Sequence, residues 1–317
     1  MENKSSLNWE RELIEKVTLA AINEQTKARR WGIVFKSLLF FYLFAVLGVA
    51  IYPSLSETHL HGISNKEHTA IIDIRGMIAE DKATNADTVI EGLRDAVDNK
   101  YTKGIILYAN SPGGSPVQSA YIYDEIHKIK KEHPLLPIYT VVSDICASGC
   151  YYIASATDKI FVSPASLVGS IGVLMDGFGF VDTLQKLGVE RRLITAGAHK
   201  AILDPFSPRK EEETTYMQNL LNQVHQQFIT AVKNGRGERL KETPELFSGL
   251  VWTGEEGIKV GLVDDLGSQH DVAKNIIGCE NEVNFTPQEH LLDKLAGRLG
   301  ISFSHAISNL LQPITLK

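Results

Sequence analysis

The stretch around which this chain is organised is Asp144-Ile145-Cys146-Ala147-Ser148-Gly149-Cys150-Tyr151-Tyr152-Ile153-Ala154. It follows an apolar run, residues 138–142, that is typical of a buried strand, and it predicts a tight turn in which Ser148 begins a helix. Backbone N–H groups at a helix start lack partners, so a serine there can face an acyl carbonyl while they receive the oxyanion. Taken alone, the stretch fits a helix N-cap better than a nucleophile.

Two further stretches favour the nucleophile. Residues 110–114 (N-S-P-G-G) follow a predicted strand at 104–108, and their two glycines let the backbone approach a substrate and turn an N–H outward. Residues 195–201 (T-A-G-A-H-K-A) place Lys200 after another predicted strand at 191–194. Such a lysine is usually a solvated surface charge, but one that loses its proton in a dry site serves as a base.

In this order, the three stretches resemble the motifs of the signal peptide peptidase A family, membrane-bound bacterial serine peptidases with a Ser/Lys dyad. Two more motifs extend the resemblance, V-G-S-I-G-V at 168–173 and W-T-G-E-E-G at 252–257, which runs on to 261–267. The resemblance covers about residues 67–268, and five motifs in order make it specific. The family has a long form with two peptidase repeats and a short form with one, and this chain resembles the short form.

The resemblance implies the roles of five residues. Ser148 would be the nucleophile, Lys200 the general base, and Ser170 the residue that orients the lysine, while the backbone N–H groups of Gly114 and Gly149 would form the oxyanion hole. His199 is the rival base, and the family motif favours its neighbour. The apolar residues around the lysine, which would disfavour its charged form, are Ala198, Ala201, Ile202 and Leu203.

Alternating strands and helices predict an α/β fold with a mainly parallel core. The resemblance implies the spiral fold shared by Clp protease and the crotonases. Buried strands are predicted at 70–74, 104–108, 138–142, 159–162 and 191–194, and helices at 87–97, 117–131, from 148 and at 211–232. We expect the peptidase domain to cover residues 68–280 and a C-terminal helical extension to cover 281–317, with an amphipathic helix pair at 287–311.

The N-terminal fifth of the sequence predicts a membrane anchor. Residues 1–32 are polar and charged, 33–53 form an almost wholly apolar stretch near the ~20 residues needed to cross a bilayer, and 54–67 read as a linker. Lysines and arginines precede the apolar stretch, so the positive-inside rule places residues 1–32 in the cytoplasm and the peptidase domain outside the cytoplasmic membrane. The competing interpretation is a signal peptide cleaved after Gly48-Val49-Ala50, which the long charged leader disfavours.

Composition excludes several classes of protein. The 317 residues are 44% hydrophobic, enough for a sizeable core, and the net charge of −6 disfavours a nucleic-acid partner. His59, His61 and His68 lack an accompanying set of ligands, so we expect solvated histidines rather than a metal site, and we expect no cofactor.

The three cysteines do not form a disulfide framework. Cys146 and Cys150 flank Ser148, where the family often has small residues, and Cys279 lies far along the chain. A helix that starts at 148 would keep the first two from meeting, so we expect free, buried cysteines. A thiol nucleophile is the weaker alternative, because no histidine is near either cysteine in sequence.

The sequence therefore predicts a membrane-anchored serine endopeptidase that hydrolyses cleaved signal peptides and other short apolar peptides. The single repeat predicts a homo-oligomer, a ring in which Lys200 of one protomer serves Ser148 of the next, since the two family repeats of the long form share their sites in this way. The alternatives are a crotonase-like acyl-CoA enzyme and a non-catalytic membrane scaffold with the same fold.

Overall fold

A computed structural model of the chain describes residues 3–57 and 66–287. The chain divides into two compact units, one of Met1–His59 with His290–Lys317 and one of Leu60–Glu289. The described part of the first unit is a single helix, α1 (Asn3–Glu57). The predicted transmembrane helix at 33–53 falls inside α1 and stays a prediction, and the predicted helix pair at 287–311 lies almost wholly outside the described residues.

Within residues 3–57 and 66–287, no helix combines the length and the apolar character needed to traverse a bilayer.

The second unit is built on an eight-stranded sheet, with strands β1 (His68–Ile78), β2 (Thr102–Gly114), β3 (Ile138–Ala147), β4 (Lys159–Val162), β5 (Leu167–Gly169), β6 (Val251–Thr253), β7 (Asp265–Leu266) and β8 (Glu282–Asn284). The sheet order is β6-β5-β3-β2-β1-β8, with β4 paired to β3 and β7 to β4. All pairs are parallel except β5 with β6, which confirms the predicted α/β fold with a mainly parallel core.

Helices connect β1 to β2, β2 to β3 and β3 to β4, as the crossovers between parallel strands require. Asn85 and Ser115 cap the first two of them by accepting the N–H of Thr88 and of Gln118. The helices of the second unit are α2 (Ala86–Asp98), α3 (Pro116–Glu132), α4 (Gly149–Ser155), α5 (Val181–Lys186), α6 (Glu211–Arg236), α7 (Gly254–Val260) and α8 (Gln269–Asp271), which continues as a π-helical turn at Val272–Ile277.

The third strand positions the site because it changes partner along its length. Its first half, Tyr139 to Val142, pairs with β4, and its second half, Ile145 to Ala147, pairs with β5. Side chains on one face of the sheet join the main core with α2, α3 and α4, and those on the other face form a smaller cluster around Phe161 and Val272. The strand that leads to Ser148 is therefore held on both edges and both faces.

Three sequence predictions need correction. Residues 191–194 form no strand, and Ile194 is 96% exposed, because this stretch has no neighbouring strand among the described residues. Residues 282–284, expected in a helical extension, form β8 beside β1. His68 is buried rather than solvated, with Nδ1 2.9 Å from the carbonyl of Lys66 and its ring stacked on Phe285.

Candidate active site

Ser148 occupies a strained turn between β3 and α4. Its backbone has φ 54° and ψ −124°, a conformation that residues other than glycine rarely adopt. Such strain costs about 1–3 kcal/mol and persists only where the surroundings impose it. The Ser148 N–H donates to the carbonyl of Gly169 at 2.8 Å, and the Ser148 carbonyl accepts the N–H of Tyr152 at 2.9 Å. Two backbone bonds thus fix a half-buried serine at the start of a helix.

The structure brings the glycine loop to this serine. Gly149 is the first residue of α4, so its N–H has no partner within the helix. A Cβ built on Gly113 would lie 2.6 Å from the Gly149 nitrogen and 2.8 Å from the Ser148 Cβ, and one built on Gly149 would lie 3.1 Å from the Gly114 nitrogen. The two predicted oxyanion donors are therefore neighbours beside the predicted nucleophile.

Glycine is required at both donor positions for different reasons. Gly114 has φ 156°, and a Cβ there would collide with the carbonyl of Ile78. A Cβ on Gly149 would lie 2.5 Å from the hydroxyl oxygen of Ser119, a buried residue of α3. The absence of these side chains lets the end of β2 lie against β1 and the start of α4 lie against α3.

Two polar residues of the N-S-P-G-G motif shape the loop, a role that the sequence analysis did not predict. The Ser111 hydroxyl donates to the carbonyl of Gly76 at 2.6 Å and accepts the Gly113 N–H at 3.1 Å, which fixes the turn before the donors. The Asn110 side-chain amide donates to Asp144 at 2.8 Å. The sequence did contain a signal for the second contact. Asn110 and Asp144 each lie near the end of a predicted strand, and neighbouring parallel strands end at the same edge of a sheet.

Ser170 lies next to the residue that holds Ser148. Its φ is 52°, and its N–H donates to the carbonyl of Leu250 at 2.7 Å, while Gly169 before it accepts the Ser148 N–H. The predicted lysine-orienting serine is thus brought into the neighbourhood of the predicted nucleophile.

Lys200 is not tied to this cluster. It is exposed, as is His199, and no hydrogen bond or ion pair among residues 3–57 and 66–287 joins its ammonium to Ser148 or Ser170. Its backbone N–H donates to Gly197 in a local turn at 3.2 Å. The dry environment expected from its apolar neighbours is absent within the single chain.

The predicted free state of the two flanking cysteines is wrong. Cys146 and Cys150 form a disulfide, with their Cα atoms 5.1 Å apart. We expected a helix from 148 to separate them, but the helix begins at Gly149, and the reversal of the chain at Ser148 brings the strand residue back beside the helical one. Cys279 is free and half-buried.

The W-T-G-E-E-G motif supports the site from behind. Thr253 and Glu256 cap α7 with reciprocal hydrogen bonds, and Trp252 packs beside Gly169, where an added Cβ would lie 2.9 Å from the indole ring. Through β5, this packing reaches the carbonyl that holds Ser148. The motif therefore has a structural role that its sequence did not reveal.

A buried ion pair anchors the elements beneath α4. The guanidinium of Arg236, whose side chain is fully buried, donates to both carboxylate oxygens of Asp264 at 2.8 and 3.0 Å, and the N–H of Ile160 donates to the same carboxylate at 2.7 Å. Burial acts to raise the pKa of Asp264, but the hydrogen bonds and charge of Arg236 outweigh it and hold that pKa below its ordinary value.

The residues that the structure describes contain no group of three or more His, Cys, Asp or Glu side chains placed to hold a metal ion.

The mainly parallel α/β sheet is consistent with a Clp-protease-like fold, and the Clp protease family model matches residues 59–167. The model of peptidase family S49 matches residues 130–281, which include Ser148, Ser170 and Lys200. The chain belongs to peptidase family S49 and to its signal peptide peptidase A type.

Individual relatives agree with this assignment. The chain is 32% identical over 211 residues to a protein of Methanocaldococcus jannaschii provisionally named a protease, a match that covers 67% of each chain. It is 33% identical over 228 residues to a protein of Enterococcus faecium provisionally named signal peptide peptidase SppA, covering 69% of this chain and 65% of the relative.

A third relative bears a different name. A Brucella abortus protein named Na(+)/H(+) antiporter NhaA is 40% identical over 210 residues, which are 66% of this chain and 28% of the relative. The chain therefore spans just over a quarter of that protein, and the antiporter name describes a chain most of which lies outside the match.

Proposed function

We propose that this protein is a membrane-anchored serine endopeptidase in which Ser148 is the nucleophile and Lys200 the general base. The observation that carries the proposal is the convergence of Ser148, in its strained turn, with the N–H groups of Gly114 and Gly149. A serine attacks an amide only if a base takes its proton and donors receive the oxyanion. Membership of peptidase family S49 supports the same chemistry.

The proposed reaction has two stages. The Ser148 Oγ attacks the scissile carbonyl while the Lys200 Nζ takes its proton, and the carbonyl oxygen becomes an oxyanion that accepts the two glycine N–H groups. The lysine then gives the proton to the departing amine, which leaves an acyl-enzyme. Water then attacks the acyl-enzyme while the same lysine takes its proton. The acid product leaves, and the lysine gives that proton to the Ser148 oxygen. Ser170 would hold the lysine side chain in place.

We propose that Lys200 reaches Ser148 from a neighbouring protomer in a ring. Lys200 lies on a stretch, residues 174–200, that is exposed except at two half-buried positions in α5, and several of its large apolar side chains are uncovered: Leu174 is 81% exposed, Phe178 78% and Ile194 96%. Monomeric soluble proteins rarely expose an apolar surface of this extent. A second copy that covered it would also exclude water from the lysine, and head-to-tail contacts that close produce rings.

The compartment and the anchor follow from separate features. An intramolecular disulfide persists in oxidising compartments, so the Cys146–Cys150 bridge favours a peptidase domain outside the cytoplasm. The apolar sequence at 33–53, with cationic residues before it, supports a single N-terminal anchor in the bacterial cytoplasmic membrane. Phe35, Phe41 and Phe44 within it are 64%, 76% and 58% exposed.

The proposed substrates are cleaved signal peptides and other short apolar peptides. Extended peptides bind by adding a strand, with pockets for alternate side chains. An active site close to the membrane surface meets such segments first, and the name of the Enterococcus relative points to the same substrates.

Covalent labelling tests the proposal. The full chain is treated with a fluorophosphonate, and digestion with mass spectrometry locates the adduct, which we expect on Ser148. Ser148→Ala should lose labelling and should lower peptide cleavage on the order of 10⁶-fold, since removing a nucleophile disables the whole unit. Ser143→Ala, which changes a serine of β3, the strand that leads to Ser148, is the matched control and should keep both.

The base is tested separately. Lys200→Ala should abolish cleavage and His199→Ala should not, because the lysine is the proposed proton acceptor. Loss of cleavage in His199→Ala, with cleavage retained in Lys200→Ala, would show that His199 is the base. Cleavage that survives Ser148→Ala would overturn Ser148 as the nucleophile. A wild-type chain that cleaves no peptide would leave the crotonase-like alternative, which acyl-CoA turnover would identify, or the non-catalytic scaffold.

A further inference from the structure

The covalent bridge at the site encloses the nucleophile. Cys146 is the penultimate residue of β3, where it pairs with Val168 of β5, and Cys150 is the second residue of α4. The two are 0% and 1% exposed. The Cys146–Cys150 disulfide therefore joins the strand end to the helix start directly across Ser148.

Reduction of this bridge changes how much space the two sulfurs need. Bonded sulfurs lie about 2.05 Å apart, whereas non-bonded heavy atoms need about 3.5–4.0 Å. Both cysteines are buried members of the main core, and protein cores are close-packed, so the neighbouring groups have to move to make room. Overpacked cores respond by shifts of side chains and backbone. Between the cysteines, Ala147 and Gly149 are buried and Ser148 is half-buried, so a shift would fall on Ser148 and stretch its hydrogen bond to Gly169.

We propose that the Cys146–Cys150 pair is a redox modification site at which reduction by a dithiol displaces Ser148 and lowers activity. The inference rests on the proposed role of Ser148 as nucleophile. A thiolate of the reductant attacks one sulfur, and its second thiolate then closes its own disulfide. Two electrons and two protons pass from the dithiol to the pair, which leaves Cys146 and Cys150 as thiols. The disulfide form is the active one.

The structure also predicts how the cysteines can be replaced without loss. Cys146→Ala/Cys150→Ala removes the bridge and the crowding together, so this variant should stay active and should ignore the reductant. If the bridge acted only as a cross-link that holds Ser148 in place, the alanine variant would instead lose activity. The contrast between reduced wild type and the double variant separates crowding from simple loss of a cross-link.

The experiment uses the full chain, oxidised, and the same chain reduced with dithiothreitol, by refolding in its presence if the buried bridge resists. Alkylation and mass spectrometry confirm two new thiols. We expect kcat for an apolar fluorogenic peptide to fall about tenfold or more on reduction, with little change in KM. The rate of fluorophosphonate labelling at Ser148 should fall in parallel, and reoxidation should restore both.

Two variants complete the test. Cys279→Ser changes the remote free cysteine and should respond to the reductant as wild type does. Cys150→Ala leaves one thiol without crowding and should stay active, which covers a double variant that folds poorly.

Three results would each overturn the inference. The first is full kcat in the chain with both thiols confirmed, and the second is inactivity of both alanine variants despite native unfolding temperatures. The third is the absence of the Cys146–Cys150 bridge from the chain before any reductant is added. Cleavage independent of Ser148 would instead defeat the proposed function, so the two failures differ.

Discussion

The two halves of the proposed site differ in how the chain holds them. The nucleophile region, residues 138–155, lies within the sheet and core, and Ser148 is fixed by backbone bonds on both sides. The lysine region, residues 172–210, has one short helix, α5, and Lys200 is exposed. The difference teaches that the chain packs the nucleophile half into its own core and leaves the lysine half exposed, which is the half that the proposed ring would cover.

The lysine region is nevertheless locally bonded. Asp204 pairs with Arg191 at 3.0 Å, and the N–H of Leu203, at φ 53°, donates to the buried Glu213 at 3.2 Å. Hydrogen bonds from the Lys210 ammonium, the larger cause, and from the Leu203 N–H hold the pKa of Glu213 below its ordinary value. The stretch has a defined conformation without being covered, as expected of an interface rather than of a disordered loop.

The largest expected effect is recovery of activity from two inactive chains. Ser148→Ala and Lys200→Ala chains, assembled together, should regain cleavage if the site is shared, because some junctions pair an intact serine with an intact lysine. Each variant alone is the control. Mixed oligomers, verified by native mass spectrometry, that stay inactive would place the dyad within one chain.

The next effect is on stability and concerns the nucleophile half. Asp264→Asn leaves the buried Arg236 guanidinium without its carboxylate partner, so the free energy of unfolding should fall by about 3–5 kcal/mol. Asp265→Asn, an exposed neighbour, is the matched control and should change it little. Chemical denaturation of both variants measures the difference.

The same carboxylate gives a pH dependence of stability. Because folding lowers the pKa of Asp264 from its ordinary value of 3.8, the stabilisation is fully present above that value and is lost as the pH falls through the lowered pKa. Wild type should lose stability in this acid range more steeply than Asp264→Asn. Equal slopes would show that the pair does not titrate with folding.

The smallest effect on the single chain comes from the exposed lysine half. Ile194→Ser removes a side chain that is 96% exposed, so the free energy of unfolding should change by less than about 0.5 kcal/mol while the oligomer weakens. Leu135→Ser is the matched control at 95% exposure on the turn before β3. Sedimentation that shows equal assembly for both variants would remove Ile194 from the interface.

Sequence reasoning succeeded where local pattern and burial agree. The predicted strand at 159–162 coincides with β4, and the predicted helices at 87–97 and 117–131 match α2 and α3 within one residue at each end. Proximity of Gly114 and Gly149 to Ser148 was expected and is found, since parallel strands deliver their ends to one edge.

It failed where a property depends on conformation or on contacts that no local pattern encodes. The disulfide could not be predicted, because it requires the positive φ of Ser148 to turn Cys150 back toward Cys146. The strand expected at 191–194 has β-type residues but no pairing partner among the described residues. A strand is a property of two segments, and one sequence run shows only one of them.

The bond from the Ser148 N–H to Gly169 has a consequence for the order in which a chain is made. Gly169 is itself held by β6, and Ser170 by Leu250, so the geometry around Ser148 depends on residues synthesised about a hundred positions later. A nascent or truncated chain that stops before β6 carries the serine without the scaffold that shapes it. Any hydrolysis that relies on Ser148 is thereby deferred until the folding unit is nearly complete, without a propeptide.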